Sequence, residues 1–351
     1  MPTRRSKYPT RVIELEVAEG LEQIALDELL ERYADRIATQ PVIEPGAIRF
    51  GYQGNLGGLL GLQAINAAYL LQTYDIPRPK AFLGHQHLTR LLDQIGIALS
   101  LKEPNAYTTI HINAAGSSSS VMQRLLSELA GATNLQPNNH EGDLMLRLRR
   151  AAHGEGWDAL VRLSPRPNAT RDWRVVDVPG ALNGAVAFAM SMLTDPTPDD
   201  VVLNALCGSA SLAIERRRLL EAEKIYACDR DADMLAAATQ NIAAAGFTDD
   251  IAVRPWDATD VPLPPGSVNT ILADLPFGNH VGSHKENIDL YPRLLIEAAR
   301  LAKRGGRFIL ITHEVTLMDA VLADTNKWAT TRTMRIGLSG LHPRIYLLER
   351  V

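Results

Sequence analysis

Three aspartates and one small-residue turn follow four apolar runs in the C-terminal half of the sequence. The runs "VVLNAL", "KIYACD", "IAVRPWD" and "NTILADL" lead to the turn "CGSAS", Asp229, Asp257 and Asp274. Short apolar runs of this kind are typical of buried parallel strands, whose carboxyl ends meet at one edge of the sheet. Ligands of such sheets bind at that edge, where the winding direction reverses. The four strand ends therefore predict one ligand site in which the carboxylates act as hydrogen-bond acceptors or bases.

The residue types at these strand ends suit a ligand with a carboxylate and a single nucleoside. The turn opens a helix and can present backbone N–H groups to a carboxylate, while Asp229 can accept from both ribose hydroxyls and Asp257 from the amine of an adenine. Asp229 or Asp231 could instead cap the next helix. The turn lacks the G-x-G-x-x-G spacing that a dinucleotide pyrophosphate needs, which disfavours a hydride-transfer enzyme. We therefore expect S-adenosylmethionine as the cofactor, bound by Asn204, Cys207, Gly208, Ser209, Asp229, Arg230, Asp257 and Ala258.

The segments around these residues indicate an α/β fold. Beyond residue 200, apolar runs alternate with helical stretches such as "ADMLAAATQNIAAAG", a pattern typical of a Rossmann-like, mostly parallel sheet with helices on both faces. The last two runs, "RFILIT" and "RIYLLE", lack a clear intervening helix and could pair antiparallel. In the first half, strand-like runs such as "RVIELEV" and "AIRFGYQ" flank the amphipathic stretch "GLEQIALDELLERYA", which indicates an α+β region.

Composition excludes several classes of protein. The 351 residues suffice for two or three domains, and the net charge of -4 is not typical of a general polyanion binder. No apolar run is long enough for a membrane span, the basic start "MPTRRSKYPTR" is not a secretion signal, and two cysteines, Cys207 and Cys228, favour the cytoplasm. His85 and His87 are spaced for one face of a strand with no third ligand nearby, so no metal site is expected.

Arginines are concentrated between residues 147 and 174. The segment contains Arg147, Arg149, Arg150, Arg162, Arg166, Arg171 and Arg174 against Glu155, Asp158 and Asp172. On charge alone the run could be a solvated face or a surface that contacts phosphates.

The segment "DLPFG", residues 274–278, resembles the [DN]-P-P-[FYW] motif of class I methyltransferases that modify exocyclic amines of bases. The resemblance implies that Asp274 and the Leu275 carbonyl, followed by Pro276, accept hydrogen bonds from the amine, and that Phe277 stacks on a base that has left its helix. Acceptors that pull on the amine hydrogens direct its lone pair towards the methyl group. Leu275 replaces the usual first proline.

The stretch "RDWRVVDVPGALNG" followed by "NALCGSASLAIE" is similar to the corresponding region of THUMP-containing guanine-N2 methyltransferases. The similarity implies that Ala181 and Leu182 line the adenosine side of the cofactor. Asn204, Ala210 and Ser211 stand where that family prefers Asp, Gly and Thr, and an alanine costs more if its φ must be positive.

The resemblance implies four segments and an activity. We expect a ferredoxin-like module over residues 1–60, a THUMP-like RNA-binding domain over 61–165, a linker over 166–180 and a class I methyltransferase domain over 181–351. The expected activity is formation of N2-methylguanosine in RNA, most simply in a tRNA acceptor stem, by a cytoplasmic monomer. Ribosomal RNA guanine, DNA adenine N6 or a non-catalytic RNA-binding role with an altered cofactor loop stay open as alternatives. Phosphate contacts are expected from Arg147, Arg149, Arg150, Arg166, Arg171 and Arg174.

Overall fold

The computed structural model describes residues 8–103, 105–152, 154–276, 283–338 and 340–351. Contacts between Cα atoms divide the chain into two units. The N-terminal unit comprises residues up to 17 and residues 22–169, and the C-terminal unit comprises residues 18–21 and 170–351. Residues 170–180 therefore belong to the C-terminal unit, whereas the sequence analysis assigned them to a linker.

The N-terminal unit is built on one mixed sheet. Its strands are β1 (Arg11–Glu16), β2 (Val42–Glu44), β3 (Ala47–Tyr52), β4 (Ala67–Tyr74), β5 (Thr109–Ala114), β6 (Gln136–Pro137), β7 (Leu144–Arg150) and β8 (Trp157–Arg162), in the order β2-β3-β1-β4-β8-β7-β5-β6. Its helices are α1 (Glu22–Tyr33), α2 (Leu56–Leu59), α3 (His85–Leu99) and α4 (Ser120–Thr133). Strand β1 pairs antiparallel with β4, so the segments predicted as separate modules, 1–60 and 61–165, share this sheet.

Helix α3 corrects one local prediction. His85 and His87 lie in its first turn and not on a strand. The buried residues Leu91, Ile95 and Ala98 follow at intervals of three or four, which is the spacing of one helix face. The alternation of two histidines was too short to distinguish a strand from a helix start.

The C-terminal unit is a doubly wound sheet. Its strands are β9 (Val201–Ala205), β10 (Lys224–Cys228), β11 (Ile251–Arg254), β12 (Val268–Asp274), β13 (Ala302–Thr312), β14 (Trp328–Arg335) and β15 (Arg344–Arg350), in the order β11-β10-β9-β12-β13-β15-β14. Its helices are α5 (Gly184–Met192), α6 (Ser211–Leu219), α7 (Ala232–Ala244), α8 (His284–Leu301) and α9 (Val315–Ala323). Strands β9 to β13 pair in parallel, and β15 runs antiparallel to β13 as the sequence allowed. Strand β14 and helix α9 were missed; β14 is exposed along most of its length and has no apolar alternation.

The winding of this sheet determines where a ligand can bind. From β9 the chain proceeds to β10 and β11 on one side, and then returns to β12 on the other side of β9. The loops that leave β9 and β12 therefore diverge, and the crevice between them lies at the carboxyl ends of the strands. The apolar side chains of β9 and β12, among them Leu203, Ile271 and Ala273, are buried and hold these strand ends in register.

Side-chain caps fix the starts of the helices that border this crevice. Asn183 accepts from the backbone of Ala185 at the start of α5, and Asp231 accepts from Asp233 at the start of α7. Ser283 and Glu286 form the S-x-x-E pattern at the start of α8. Within the described residues, no helix is both long enough and apolar enough to cross a membrane.

Candidate active site

A cavity of about 830 Å³ lies at the carboxyl ends of β9, β10 and β12. Every residue predicted to bind the cofactor lines it: Ala181, Leu182, Asn204, Cys207, Gly208, Ser209, Asp229, Arg230, Asp257 and Ala258. Asp274, Leu275 and Pro276 of the predicted catalytic segment line the same cavity. Phe277 lies outside the residues that the structure describes. The tertiary structure thus brings the strand ends together around one space large enough for a nucleoside ligand.

The loop after β9 has an unusual backbone conformation. Leu206, Gly208 and Ala210 have φ values of 51°, 51° and 67°, so left-handed residues alternate with others along five positions. Hydrogen bonds hold this conformation: the N–H of Cys207 donates to the Cys228 carbonyl, and the N–H of Ala210 donates to the Cys207 carbonyl, both at 2.8 Å. Gly208 uses its own N–H to donate to Asp229 Oδ2 at 3.0 Å, which ties the loop to the end of β10.

The structure gives a role to each of the three residues, Asn204, Ala210 and Ser211, that differ from those preferred in THUMP-containing guanine-N2 methyltransferases. The buried Asn204 side chain donates to the Leu272 carbonyl and accepts from the N–H of Ala213, so it links β9 to β12 and to α6. Ser211 Oγ accepts from Arg174. Ala210 has a positive φ and is fully buried, so this alanine adopts the left-handed conformation that is more costly for alanine than for glycine.

Replacement of Ala210 by glycine is therefore expected to leave stability unchanged or raise it by up to about 1 kcal/mol, since relief of the left-handed conformation offsets the lost methyl group and the greater chain entropy. Ala213, which is equally buried but helical, is the matched control. Ala213→Gly should destabilise by about 1 kcal/mol or more. Thermal unfolding of both variants measures the difference, and an Ala210→Gly variant as destabilised as Ala213→Gly would contradict strain at this position.

Asp229 and Asp257 each retain acceptor capacity beside the cavity. Asp229 accepts from the N–H groups of Gly208 and Asp231, and Asp231 rather than Asp229 caps α7. Asp257 lies three residues beyond the end of β11 and not at it, because the proline at position 255 cannot donate to the ladder. The backbone and side-chain hydrogen bonds from Thr259 lower the pKa of Asp257 despite partial burial, so it stays ionised. Each carboxylate can still accept from ligand hydroxyl or amine groups.

Asp274 is partly buried and differs from the other two in its raised pKa. Burial raises its pKa to about 7, and its Oδ1 has no hydrogen-bond partner among the described residues. The next residue, Leu275, is buried and donates its N–H to the Ile311 carbonyl at 3.0 Å, which fixes the chain direction after β12. A carboxyl with a pKa near neutrality and a buried, unsatisfied oxygen is a candidate for proton transfer.

The carbonyl of Pro276 is held by two donors from α8. Asn287 Nδ2 donates to it at 2.9 Å and the Tyr291 hydroxyl at 3.0 Å. Tyr291 in turn bonds the hydroxyl of Thr312 at 2.6 Å. These contacts immobilise the backbone that follows Asp274. Sequence analysis missed Asn287 and Tyr291, because only their spacing on one helix face pointed to a shared role.

Arg171 and Arg174, expected to contact phosphates, instead brace the cofactor side of the site. Arg171 is buried and donates to Glu215 Oε1 at 2.9 Å and to the Gly184 carbonyl, and Trp173 donates to the same Glu215 oxygen at 3.1 Å. Arg174 donates to the Leu182 carbonyl and to a hydroxyl of α6. Arg171 therefore has no surface for a phosphate. It holds the start of α5 against α6, and Arg174 holds Leu182 of the preceding turn against the same helix.

The other predicted arginines lie in the N-terminal unit, where their environments differ. Arg147 pairs with Glu16 and stacks on Tyr69, and Arg149 pairs with the buried Glu14. Arg150 is exposed above the ring of Trp157, and Arg166 is exposed. The buried Arg162 donates to the carbonyls of Ser164 and Gly142. Arg150 and Arg166 are thus the members of this group most accessible to a phosphate.

Further residues line the cavity without having been predicted. They include Met234, Thr259, Glu286, Asn287, Asp289, Arg293, His313 and Leu338. Burial and the neighbouring His342 lower the pKa of His313, which favours its neutral form.

The described residues contain no group of three or more His, Cys, Asp or Glu side chains that could hold a metal ion.

A parallel sheet of this winding, with a loop of alternating left-handed residues after β9, a carboxylate after β10 and an acidic end to β12, has the arrangement of the class I methyltransferase fold. Residues 171–344 match the family described as "RMKL-like, methyltransferase domain".

Similar proteins include two curated relatives and a solved structure. The chain is 31% identical over 189 residues to a tRNA (guanine(6)-N(2))-methyltransferase THUMP3 from Bos taurus, which covers 49% of this chain and 37% of that protein. It is 30% identical over 207 residues to a tRNA (guanine(6)-N2)-methyltransferase from Thermus thermophilus, which covers 59% of this chain and 61% of that protein. The chain thus spans about a third to three fifths of the length of these relatives. The crystal structure of TrmN from Thermus thermophilus matches 98% of this chain and all of that one with a TM-score of 0.75 at 24% identity, which shows a shared fold.

Proposed function

We propose that this chain is an S-adenosylmethionine-dependent RNA methyltransferase that forms N2-methylguanosine in tRNA. The observation that carries the proposal is Asp274 at the end of β12, whose pKa is raised and which lines the same cavity as the loop after β9 and Asp229. The curated relatives from Bos taurus and Thermus thermophilus are named for guanine 6 of tRNA, which favours that nucleotide over ribosomal RNA guanine or DNA adenine. We further propose that the chain acts as a cytoplasmic monomer.

The residues around the cavity fit the proposed cofactor. The loop over Cys207, Gly208 and Ser209 lines the cavity and would hold the methionine part of the cofactor. Asp229 would accept from the ribose hydroxyls, and Asp257, which stays ionised, from the adenine amine. Ala181 and Leu182 line the same side of the cavity and would cover the adenosine. When bound, S-adenosylmethionine supplies an electrophilic methyl group on a sulfonium.

The chain's own groups prepare the amine and remove its proton. The lone pair of guanine N2 is delocalised into the ring, so the amine is a weak nucleophile. The ionised Asp274 would accept a hydrogen bond from N2–H, direct the lone pair towards the methyl group and take the proton as the N2–C bond forms. The carbonyl of Leu275 would accept from the second N2–H. Asn287 and Tyr291, through the Pro276 carbonyl, keep this backbone in position.

The N-terminal unit is proposed to bind the RNA. Arg150 and Arg166 are exposed and could contact phosphates. Arg147 and Arg149 already form ion pairs with Glu16 and Glu14, so a phosphate would have to compete with these carboxylates. Phosphate contacts contribute affinity without identifying a base. The proposal includes the ferredoxin-like and THUMP-like segments expected over residues 1–60 and 61–165.

Cofactor binding and product analysis test the function directly. Calorimetric titration with S-adenosylmethionine should show binding, and incubation with tRNA carrying guanosine at position 6 should give N2-methylguanosine by mass spectrometry of nucleosides. Folded protein that binds no cofactor and transfers no methyl group would support the non-catalytic RNA-binding role. Methylation of DNA adenine or of ribosomal RNA alone would support the corresponding alternative.

Asp229→Ala is expected to weaken S-adenosylmethionine binding by about 100-fold, because hydrogen bonds to a charged acceptor contribute about 1.5–3 kcal/mol each. Asp233, which is exposed near the start of α7 and does not line the cavity, provides the control. Asp233→Ala should bind the cofactor as the wild type does. Equal affinity of the Asp229→Ala variant and the wild type in calorimetry would refute the ribose assignment.

A further inference from the structure

The side chain of Asn287 has a fixed orientation in the wall of the cavity. Asn287 is fully buried near the start of α8, and its Nδ2 donates to the Pro276 carbonyl at 2.9 Å. A carbonyl oxygen can only accept a hydrogen bond, so the amide nitrogen must face Pro276. The other end of the carboxamide, Oδ1, is therefore an acceptor that points away from Pro276.

Two acceptor oxygens near the end of β12 have no partner among the described residues. Asn287 Oδ1 and Asp274 Oδ1 are both buried, and both residues line the cavity. A buried acceptor without a donor costs about 1–3 kcal/mol, so such atoms generally have a partner in the working protein. Asp274 belongs to the short segment over residues 274–276, and Asn287 is hydrogen-bonded to the last residue of that segment. One ligand with two adjacent donors could therefore satisfy both oxygens.

We propose that Asn287 selects guanine by accepting a hydrogen bond from its N1–H while Asp274 accepts from the neighbouring N2–H. This inference rests on the proposed function and adds the residue that identifies the base. Among the standard bases with an exocyclic amine, guanine carries a ring N–H next to that amine. Adenine presents N1 and cytosine N3 at the equivalent place, and both are acceptors. The oxygen of Asn287 would face another acceptor with either of those bases, so neither could satisfy it.

Modified tRNA separates this role from the chemistry at N2. One tRNA carries guanosine at position 6 and a second carries 2-aminopurine riboside, which keeps the amine on C2 but has no hydrogen on N1. Wild-type protein should methylate guanosine with a kcat/KM at least about tenfold higher, as expected when a site built for a donor meets a substrate that lacks it. Asn287→Leu, of similar volume, also loses the hydrogen bond to the Pro276 carbonyl and should slow both substrates. The loss on guanosine should be about tenfold larger than the loss on 2-aminopurine, so that most of the preference disappears.

Tyr291→Phe provides the matched control. It removes the other hydrogen bond to the Pro276 carbonyl but leaves Asn287 Oδ1 in place. Both substrates should therefore react more slowly by the same factor, and the preference for guanosine should persist. Binding of S-adenosylhomocysteine shows that each variant is folded; if Asn287→Leu does not bind it, Asn287→Ala replaces that variant in the comparison.

The possible results distinguish the two levels of the proposal. If wild-type protein methylates both substrates equally well, or if the folded Asn287 variant keeps the full preference, selection by Asn287 is refuted while guanine-N2 methylation stands. A dependence on N1–H that vanishes with Asn287 and survives in Tyr291→Phe supports it. If wild-type protein methylates neither tRNA but binds the cofactor, the proposed substrate is wrong and selection by Asn287 falls with it.

Discussion

Asp274→Ala should lower the rate of methyl transfer by about a thousandfold or more, since it removes the acceptor that directs the amine and takes its proton. The affinity for S-adenosylmethionine should stay within a few fold of the wild type, because the residues proposed to contact the cofactor lie at the ends of β9 and β10 and after β11. Single-turnover transfer to tRNA and calorimetric titration measure the two quantities separately. Asp229→Ala is the converse variant, with weak binding but transfer retained at saturating cofactor. An Asp274→Ala variant that methylates RNA at the wild-type rate would show that the catalytic assignment is wrong.

The raised pKa of Asp274 gives this prediction a pH dependence. Burial raises the pKa to about 7, and the ionised form is the one that accepts a proton. The wild-type kcat/KM should therefore increase through pH 7 and level off above it, whereas any residual activity of Asp274→Asn should not follow this titration.

The same pKa shift affects stability with a definite sign. The folded pKa of Asp274 lies above that of a free aspartate, about 3.9, so the folded state is favoured below that value and loses this contribution as the pH rises towards 7. Asp274→Asn should therefore be more stable than the wild type at pH 8 and of similar stability at pH 4. Thermal unfolding at both pH values measures the difference.

Arg171→Ala is expected to destabilise the C-terminal unit by about 3–5 kcal/mol, because it leaves the carboxylate of Glu215 buried without its charged partner. Both side chains are almost inaccessible, at 3% and 0% exposure. For a unit of this size the melting temperature should fall by about 10 °C. Scanning calorimetry of the full chain measures the shift in the transition of the C-terminal unit.

Two further variants test the origin of that loss. Arg171→Met combined with Glu215→Leu should recover much of the stability, since no unpaired charge stays buried. The exposed Arg166 is the matched arginine: Arg166→Ala should change stability by less than about 0.5 kcal/mol but weaken RNA binding and its salt dependence. If Arg171→Ala weakened RNA binding with no loss of stability, its assignment as a structural arginine would be wrong.

Much of the site could be predicted because its residues follow directly from strand ends. Asp229 and Asp274 stand immediately after or at the end of short apolar runs, and a parallel sheet gathers such ends at one edge whatever the details of packing. Local properties of the chain also explain the errors in the prediction. Asp257 was placed at a strand end although β11 stops at Arg254, and β14 was missed because an exposed edge strand has no apolar periodicity.

The sequence by itself determined the alternation of strands and helices, the order of the strand ends and the chemistry of the side chains placed on them. Only the tertiary structure decided which charges are buried: Arg171 meets Glu215 across 44 positions of the chain, and Pro276 receives donors from α8. Local patterns report burial on one face of one segment, whereas these pairings depend on how separate segments pack. The environment that raises the pKa of Asp274 belongs to the same category, because desolvation arises from neighbours that the fold brings together and not from adjacent residues alone.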